Sequence, residues 1–277
     1  MREPPHLRRI LIAWLILAAI ATPIVIFVAA PGFPPGQGTN ESSGQVIDNT
    51  VLLGIVTPVA ALMVVFFGYV LTTFRQRDGD GGDAVAVRGD RRLATIWVVT
   101  TLVIVLFLAT FGTTRLFGGT GAGGGQGANP IAKPSTGPSI PVQVIGQQWE
   151  FTYRWPTFGG VETPHLILPV GKQIAFHVTS LDVIHSFWVR QLGVKADANP
   201  GVDNVAFTQP RETGPFDIRC AELCGLFHGH MFDTGRVVSD ARFAAWIRHQ
   251  QRNFAPATHN LPRYNIHYFP KPERRGG

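Results

Sequence analysis

Charge is scarce in this chain. Asp, Glu, Lys and Arg make up only 15% of its 277 residues, and the mean hydropathy of +0.14 is too high for an ordinary soluble protein. Three long blocks before residue 118 hold no Lys, Arg, Asp, Glu or His at all: about 10–30, 51–74 and 93–114. Cysteine is almost absent, with only Cys220 and Cys224. No Cys-x-x-Cys-His occurs, which excludes a covalently attached c-type haem on this chain. No internal repeat is present. The net charge of +6 does not indicate nucleic-acid binding, because the basic residues do not form a binding patch. Arg2, Arg8, Arg9, Arg75, Arg77, Arg88, Arg91 and Arg92 flank the apolar blocks, and Arg263, Lys271, Arg274 and Arg275 sit in the tail.

Each apolar block is long enough to cross a hydrocarbon core of about 30 Å as a helix. Orientation follows from the connectors. The N-terminus and the 75–92 connector are rich in Arg, whereas the 31–50 connector has no Lys or Arg but carries Glu41 and Asp48. The positive-inside rule then places the N-terminus and the 75–92 connector in the cytoplasm and everything after residue 115 outside. The first block, with its basic start and the small residues Ala29 and Ala30, has two readings: a cleaved signal peptide or a retained helix. Its length and Pro31 just after the best cleavage position favour the retained helix. The domains expected are residues 1–30 as first transmembrane helix or signal peptide and 31–117 as a transmembrane helical hairpin. A Gly/Pro-rich linker at 118–140, an external domain at 141–253 and a basic tail at 254–277 complete them.

After the linker, which includes the run GGTGAGGGQG at 118–127, the pattern changes to period two. Val142, Val144, Trp149, Phe151, Tyr153 and later Ile174, Phe176 and Val178 alternate with polar or small residues. Short alternating runs between Gly, Pro and Asp turns predict an all-β sandwich or barrel. A closing helix is predicted from Asp240, a plausible N-cap, with Phe243, Trp246 and Ile247 on one face.

The segment from Cys220 to Met231 packs two thiols, an imidazole at His228 and a thioether into twelve residues. Soft sulfur ligands with imidazole select copper over hard cations. One Cys with two His and a weak Met would describe a mononuclear blue-copper site. A second Cys four residues on lets one loop present two sulfurs to the same side, where they could bridge two metal ions. Such a site needs a second imidazole, and His185 is the candidate, with Asp182 close enough to shape its surroundings. A structural disulfide between Cys220 and Cys224 and a zinc site are the alternatives that residue chemistry leaves open.

Together these residues resemble the cytochrome c oxidase subunit II family. Its copper loop, Cys-x-Glu-x-Cys-x-x-x-His-x-x-Met, is met at every specified position, and Asp182–Phe187, Gly193–Asp197 and Pro200-Gly201 match its neighbouring runs. The similarity covers roughly residues 50 to 250. It implies two or three N-terminal transmembrane helices followed by a cupredoxin-like sandwich. It also implies a dinuclear copper A centre, with Cys220 and Cys224 bridging two copper ions, His185 and His228 binding one each, and Met231 and the Glu222 carbonyl as weak ligands. The Glu222 side chain would help hold a magnesium ion at the boundary with subunit I. Trp149 takes the place of the family's tryptophan that accepts electrons from cytochrome c, although Glu150 and Phe151 make the stretch less aromatic than usual. The implied role is to accept electrons from cytochrome c and pass them to haem in subunit I. The implied partners are subunits I and III, a cytochrome c or similar donor, and the plasma membrane.

The match departs from the family at one point. Trp97 fits a family tryptophan, but the proton-inlet glutamate expected three residues earlier is Ala94, and Asp90 is the nearest acid. A quinol-oxidase subunit lacks the copper ligands, and nitrous-oxide reductase needs a larger chain. The copper subunit of a nitric-oxide reductase and a membrane-tethered copper-delivery protein remain as alternative functions. His230 is read as a neighbour of the site. His165, His177, His249, His259 and His267 are read as solvated or hydrogen-bonded structural residues, and Trp246 as core packing.

Overall fold

The computed structural model describes residues 5–33, 36–75, 89–118, 127 and 138–260. Most of the expected linker, much of the 75–92 connector and the tail beyond residue 260 lie outside the described residues. The chain divides into two compact units.

One unit holds residues 1–33 and 46–114. Its helices are α1 (Pro5–Ile24, continued by a wider and then a tighter turn to Gly32), most of α2 (Asn40–Thr73) and α3 (Arg91–Phe117). All three are long and apolar enough to cross a membrane. Within this unit the Trp14 indole N–H donates to the Pro58 carbonyl at 2.8 Å, and His6 Nδ1 meets the Tyr69 hydroxyl at 2.8 Å. Gly54 lets Ile26 approach; a Cβ there would stand 3.3 Å from Ile26 Cδ1. Asp90 accepts hydrogen bonds from the Arg92 and Leu93 amides at 2.8 and 3.2 Å. The acid nearest the missing proton-inlet glutamate is thus the N-cap of α3.

The other unit holds residues 34–45 and 115–277. Its core is a sandwich of two five-stranded sheets. One runs in the order β3 (Val161–Thr163), β2 (Glu150–Trp155), β1 (Ile140–Gln147), β5 (Ile174–Ser180), β8 (Asn204–Thr208). The second runs β4 (Ile167–Pro169), β10 (Phe232–Val238), β9 (Gly214–Cys220), β6 (His185–Val189), β7 (Val194–Ala198). Both sheets are mixed: β1 pairs parallel with β5 and β10 with β4, and the other pairs are antiparallel. Val142, Val144, Tyr153, Trp155, Phe176, Val178, Phe187 and Ile218 alternate inward and are fully buried, as a period-two pattern requires. This is the cupredoxin-like sandwich that the resemblance implied. Helix α4 (Asp240–Asn260) sets Phe243 and Ile247 into the core and places Trp246 5.5 Å from Trp155.

The sandwich unit contains a piece that the sequence reading did not anticipate. Residues 36–45, the end of the first connector and the first turn of α2, strap across the 3-10 turn Arg190–Leu192 between β6 and β7. Thr39 caps α2 reciprocally with Ser42: the Ser42 amide donates to Thr39 Oγ1 at 3.0 Å and the Thr39 amide to Ser42 Oγ at 3.1 Å, a variant of the capping box. Thr39 Oγ1 and Thr208 Oγ1 both donate to the Leu192 carbonyl at 2.9 Å. The Gly38 amide donates to Gln191 O, the Arg211 amide to Gly38 O, and Gln45 Nε2 to Gly193 O. The Arg211 guanidinium also reaches Thr39 O and Ser43 Oγ. This end of the first connector therefore belongs to the sandwich unit.

Candidate metal centre

Three loops at one end of the sandwich meet around the site. The Ser180–Ile184 turn leads into β6 and delivers His185. Strand β9 ends at Cys220, the 221–230 loop carries Cys224 and His228, and Met231 opens onto β10. Backbone hydrogen bonds close this loop on itself and on β6: Cys220 N to Met231 O at 3.0 Å, Ala221 N to Ser186 O at 2.9 Å, and His228 N to Gly225 O at 3.1 Å.

The sulfurs of Cys220 and Cys224 stand 3.8 Å apart, and both thiols are free. That spacing is far beyond a disulfide bond of about 2.05 Å. Each sulfur has its own imidazole. Cys220 Sγ lies 3.9 Å from His185 Nδ1 and Cys224 Sγ lies 3.6 Å from His228 Nδ1. Met231 Sδ is 3.8 Å from Cys224 Sγ, and the Cys220 thiol donates to the Glu222 carbonyl at 3.2 Å. All six residues singled out from the sequence therefore contribute atoms to one cluster. His185, Cys220 and Cys224 place their ligand atoms within 4.8 Å of one another. The cluster is buried on one side, with His185 wholly inaccessible and Met231, Cys224 and Cys220 nearly so. It is bounded on the other by the exposed Leu223, Leu226 and Phe227.

Electrostatics shape the donor set. Burial pushes the Cys224 thiol up to about 12, with the adjacent Cys220 sulfur adding to the effect. A buried thiol beside a second sulfur, as Cys224 is, resists ionising unless a cation is placed next to it. Asp182 Oδ1 holds His185 Nε2 at 2.9 Å. Burial raises the Asp182 pKa, but the hydrogen bonds from His185 and from the Gln148 and Val183 amides outweigh it and hold the group below its ordinary value. With Nε2 engaged by a carboxylate, the Nδ1 lone pair faces the sulfurs. Soft sulfur, two imidazoles with free Nδ1 atoms and a thioether are a donor set that fits copper.

Trp149 adjoins the cluster. It packs edge-on against Phe227 with ring centroids 4.8 Å apart. A Cβ on Gly225 would lie 3.3 Å from its Cζ2 and 2.9 Å from Gln148 Nε2, so the glycine after Cys224 lets this hairpin close on the ligand loop. Sequence reasoning missed Gln148 and Gly146. The latter leaves room for the His185 ring; a Cβ there would meet His185 Cδ2 at 3.0 Å. The signal for both lay in the Gly-Gln-Gln-Trp run, which cannot be interpreted until β1 is set beside the ligand loops. His230 is exposed with its ring 6.2 Å from Phe227. His165 and His177 pair with Asp233 and Asp203, and His249 with Asn253. His267 lies outside the described residues.

The chain is similar to known proteins. Residues 161–237 match the family model described as cytochrome c oxidase subunit II, periplasmic domain. A cytochrome c oxidase subunit 2 from Thermostichus vulcanus is 27% identical over 92% of this chain and 90% of its own length. One from Alkalihalophilus pseudofirmus is 28% identical over 78% of this chain and 61% of its length. The crystal structure of the periplasmic domain of subunit II of cytochrome oxidase from Bradyrhizobium japonicum is 32% identical, covering 44% of this chain and 99% of that one, with a TM-score of 0.42. Over residues 161–237 the chain matches the cytochrome c oxidase subunit II periplasmic domain, and over most of its length it is similar to proteins named cytochrome c oxidase subunit 2.

Proposed function

We propose that this chain is the subunit through which electrons enter a respiratory haem-copper oxidase, taken from cytochrome c or a similar donor at a dinuclear copper centre and delivered to haem in subunit I. The observation that carries this is the pair of free sulfurs 3.8 Å apart, each facing the Nδ1 atom of a different histidine. Cys220 and Cys224 would hold both copper ions, His185 and His228 one each, and Met231 and the Glu222 carbonyl would complete them. A copper pair held there would supply a one-electron couple.

The chain's own residues prepare that site. Asp182 orients the His185 ring. The burial of Met231 and both sulfurs keeps water away. Trp149 offers an indole against the ligand loop through which a docked donor couples to the site. The exposed Glu222 side chain is available for a magnesium ion at the boundary with subunit I. Subunits I and III are the expected membrane partners, in a plasma membrane with the sandwich on its outer side. The Trp14–Pro58 and His6–Tyr69 contacts support a first helix retained in the mature chain. The relatives named above are oxidase subunits, which favours neither the nitric-oxide reductase nor the copper-delivery reading.

The test is copper content together with an electron paramagnetic resonance spectrum of the purified oxidase. Two coppers on this chain, with one unpaired electron shared over both nuclei, are expected. In Cys220→Ser that signal and donor-driven oxygen consumption should both be lost. A single localised copper in the wild type, or turnover that survives Cys220→Ser, would overturn the assignment. The intact mass of the same subunit reports whether residues 1–30 are retained.

A further inference from the structure

Gln148 stands between every part of the site yet is itself neither ligand nor aromatic. Its backbone amide donates to Asp182 Oδ2 at 2.7 Å, and the other oxygen of that carboxylate holds His185 Nε2 at 2.9 Å. Its side-chain Nε2 donates to the Cys224 carbonyl at 2.8 Å. The next residue is Trp149, whose indole lies over Gly225, the residue after Cys224. Two hydrogen bonds of Gln148, extended by the Asp182–His185 bond, thus tie the His185 loop, the Cys224 loop and the indole together at normal lengths.

We propose that Gln148 is a positioning residue for electron transfer: it clamps the Trp149 hairpin onto the ligand loop at Cys224 and, through Asp182, onto His185. The inference rests on the proposed electron-accepting role. Three features of the structure support it. The Trp149 indole nitrogen is buried without a hydrogen-bond partner among the described residues, so none of their polar groups holds the indole in place. The ring packs against the edge of the core, meets Phe227 edge-on and lies against Gly225, contacts that carry no directional bond. Gly225 has φ +121° and cannot accept a side chain without displacing Gln148 Nε2 and the indole. The Cys224 carbonyl and the Asp182 carboxylate, both set by the ligand loops, are therefore the anchors for the hairpin, and Gln148 is the residue that reaches both. An amide is required for this. A carboxylate of the same length would oppose the Cys224 carbonyl, and a thioether of similar size would fill the space without donating.

The experiment uses the purified oxidase with Gln148→Met and Gln148→Glu in this chain. Oxygen consumption is driven either by reduced cytochrome c or by hexaammineruthenium(II), a small reductant with no protein surface to dock. Both variants should retain two coppers. With cytochrome c, kcat should fall by roughly tenfold or more, within the range that misplacing a reacting group by about 1 Å produces, while KM stays unchanged. With the ruthenium reductant the rate should remain within about twofold of wild type. Cytochrome c turnover within twofold of wild type in Gln148→Met would overturn the proposal. So would an equal slowing with both reductants, which would mean damage to the ligand loop. A failure of the broader functional reading is distinguishable, because the wild-type protein itself would then lack the two-copper spectrum.

Discussion

A large apolar side chain means opposite things in the two units of this chain. In the membrane unit Ile96, Val105 and Phe107 on α3 are half or more exposed. In the sandwich Phe176, Val178 and Phe187 are completely buried. The helices satisfy their backbone hydrogen bonds internally and turn their side chains outward, because their solvent is hydrocarbon. The sandwich must hide the same groups from water, and it does so by bringing together strands distant in sequence. The first unit is therefore specified by composition and length, and the second by contacts. A tolerant surface and an intolerant core follow from that difference, and so does the placement of chemistry. The candidate metal centre sits where three loops of the contact-specified unit converge.

The largest effect that would sharpen the contrast is a matched truncation. Phe187→Ala should cost roughly 3–5 kcal/mol, whereas Phe107→Ala, whose ring is 51% exposed, should cost under about 1 kcal/mol, because lipid is as apolar as the lost ring. Thermal unfolding of the detergent-solubilised chain compares them, and equal losses would break the distinction. The strap gives an intermediate effect. Gly193 has φ +66°, and a Cβ there would lie 2.5 Å from the Ser42 amide nitrogen. Gly193→Ala should therefore cost about 1–3 kcal/mol and expose residues 36–45 to protease. Cleavage of the strap at the wild-type rate in this variant would show that the first connector is not an integral part of the sandwich.

The smallest effect concerns Tyr153. Burial, reinforced by Asp233, pushes its hydroxyl well above the ordinary tyrosine value, and that hydroxyl has no hydrogen-bond partner among the described residues. A raised folded pKa contributes stability that is intact below the unfolded value of about 10. It is lost as pH rises from there towards the folded value, because the unfolded chain releases its proton first. Tyr153→Phe should change stability by less than about 1 kcal/mol at neutral pH, since an unpaired hydroxyl gives up no bond on removal. It should also unfold less steeply than wild type above pH 10. A neutral-pH loss of several kcal/mol would mean that the hydroxyl is bonded after all.

The sequence alone determined what depends on local pattern. Charge-free runs define the apolar helices, period-two alternation defines the sandwich, and the spacing from Cys220 to Met231 names the candidate donor atoms of one loop. These are legible because periodicity and composition act within one segment. Tertiary structure decided the rest. His185 lies 35 residues from Cys220, and only the pairing of β6 with β9 shows that their side chains meet. Gln148 looks like any polar turn residue until its hairpin reaches Asp182 and Cys224. The strap at 36–45 looks like a plain connector, because its partners, Leu192, Gly193 and Arg211, lie some 150 residues further along the chain. Hydrogen bonds between such distant residues leave no periodic trace in either segment, so only the folded chain reveals them.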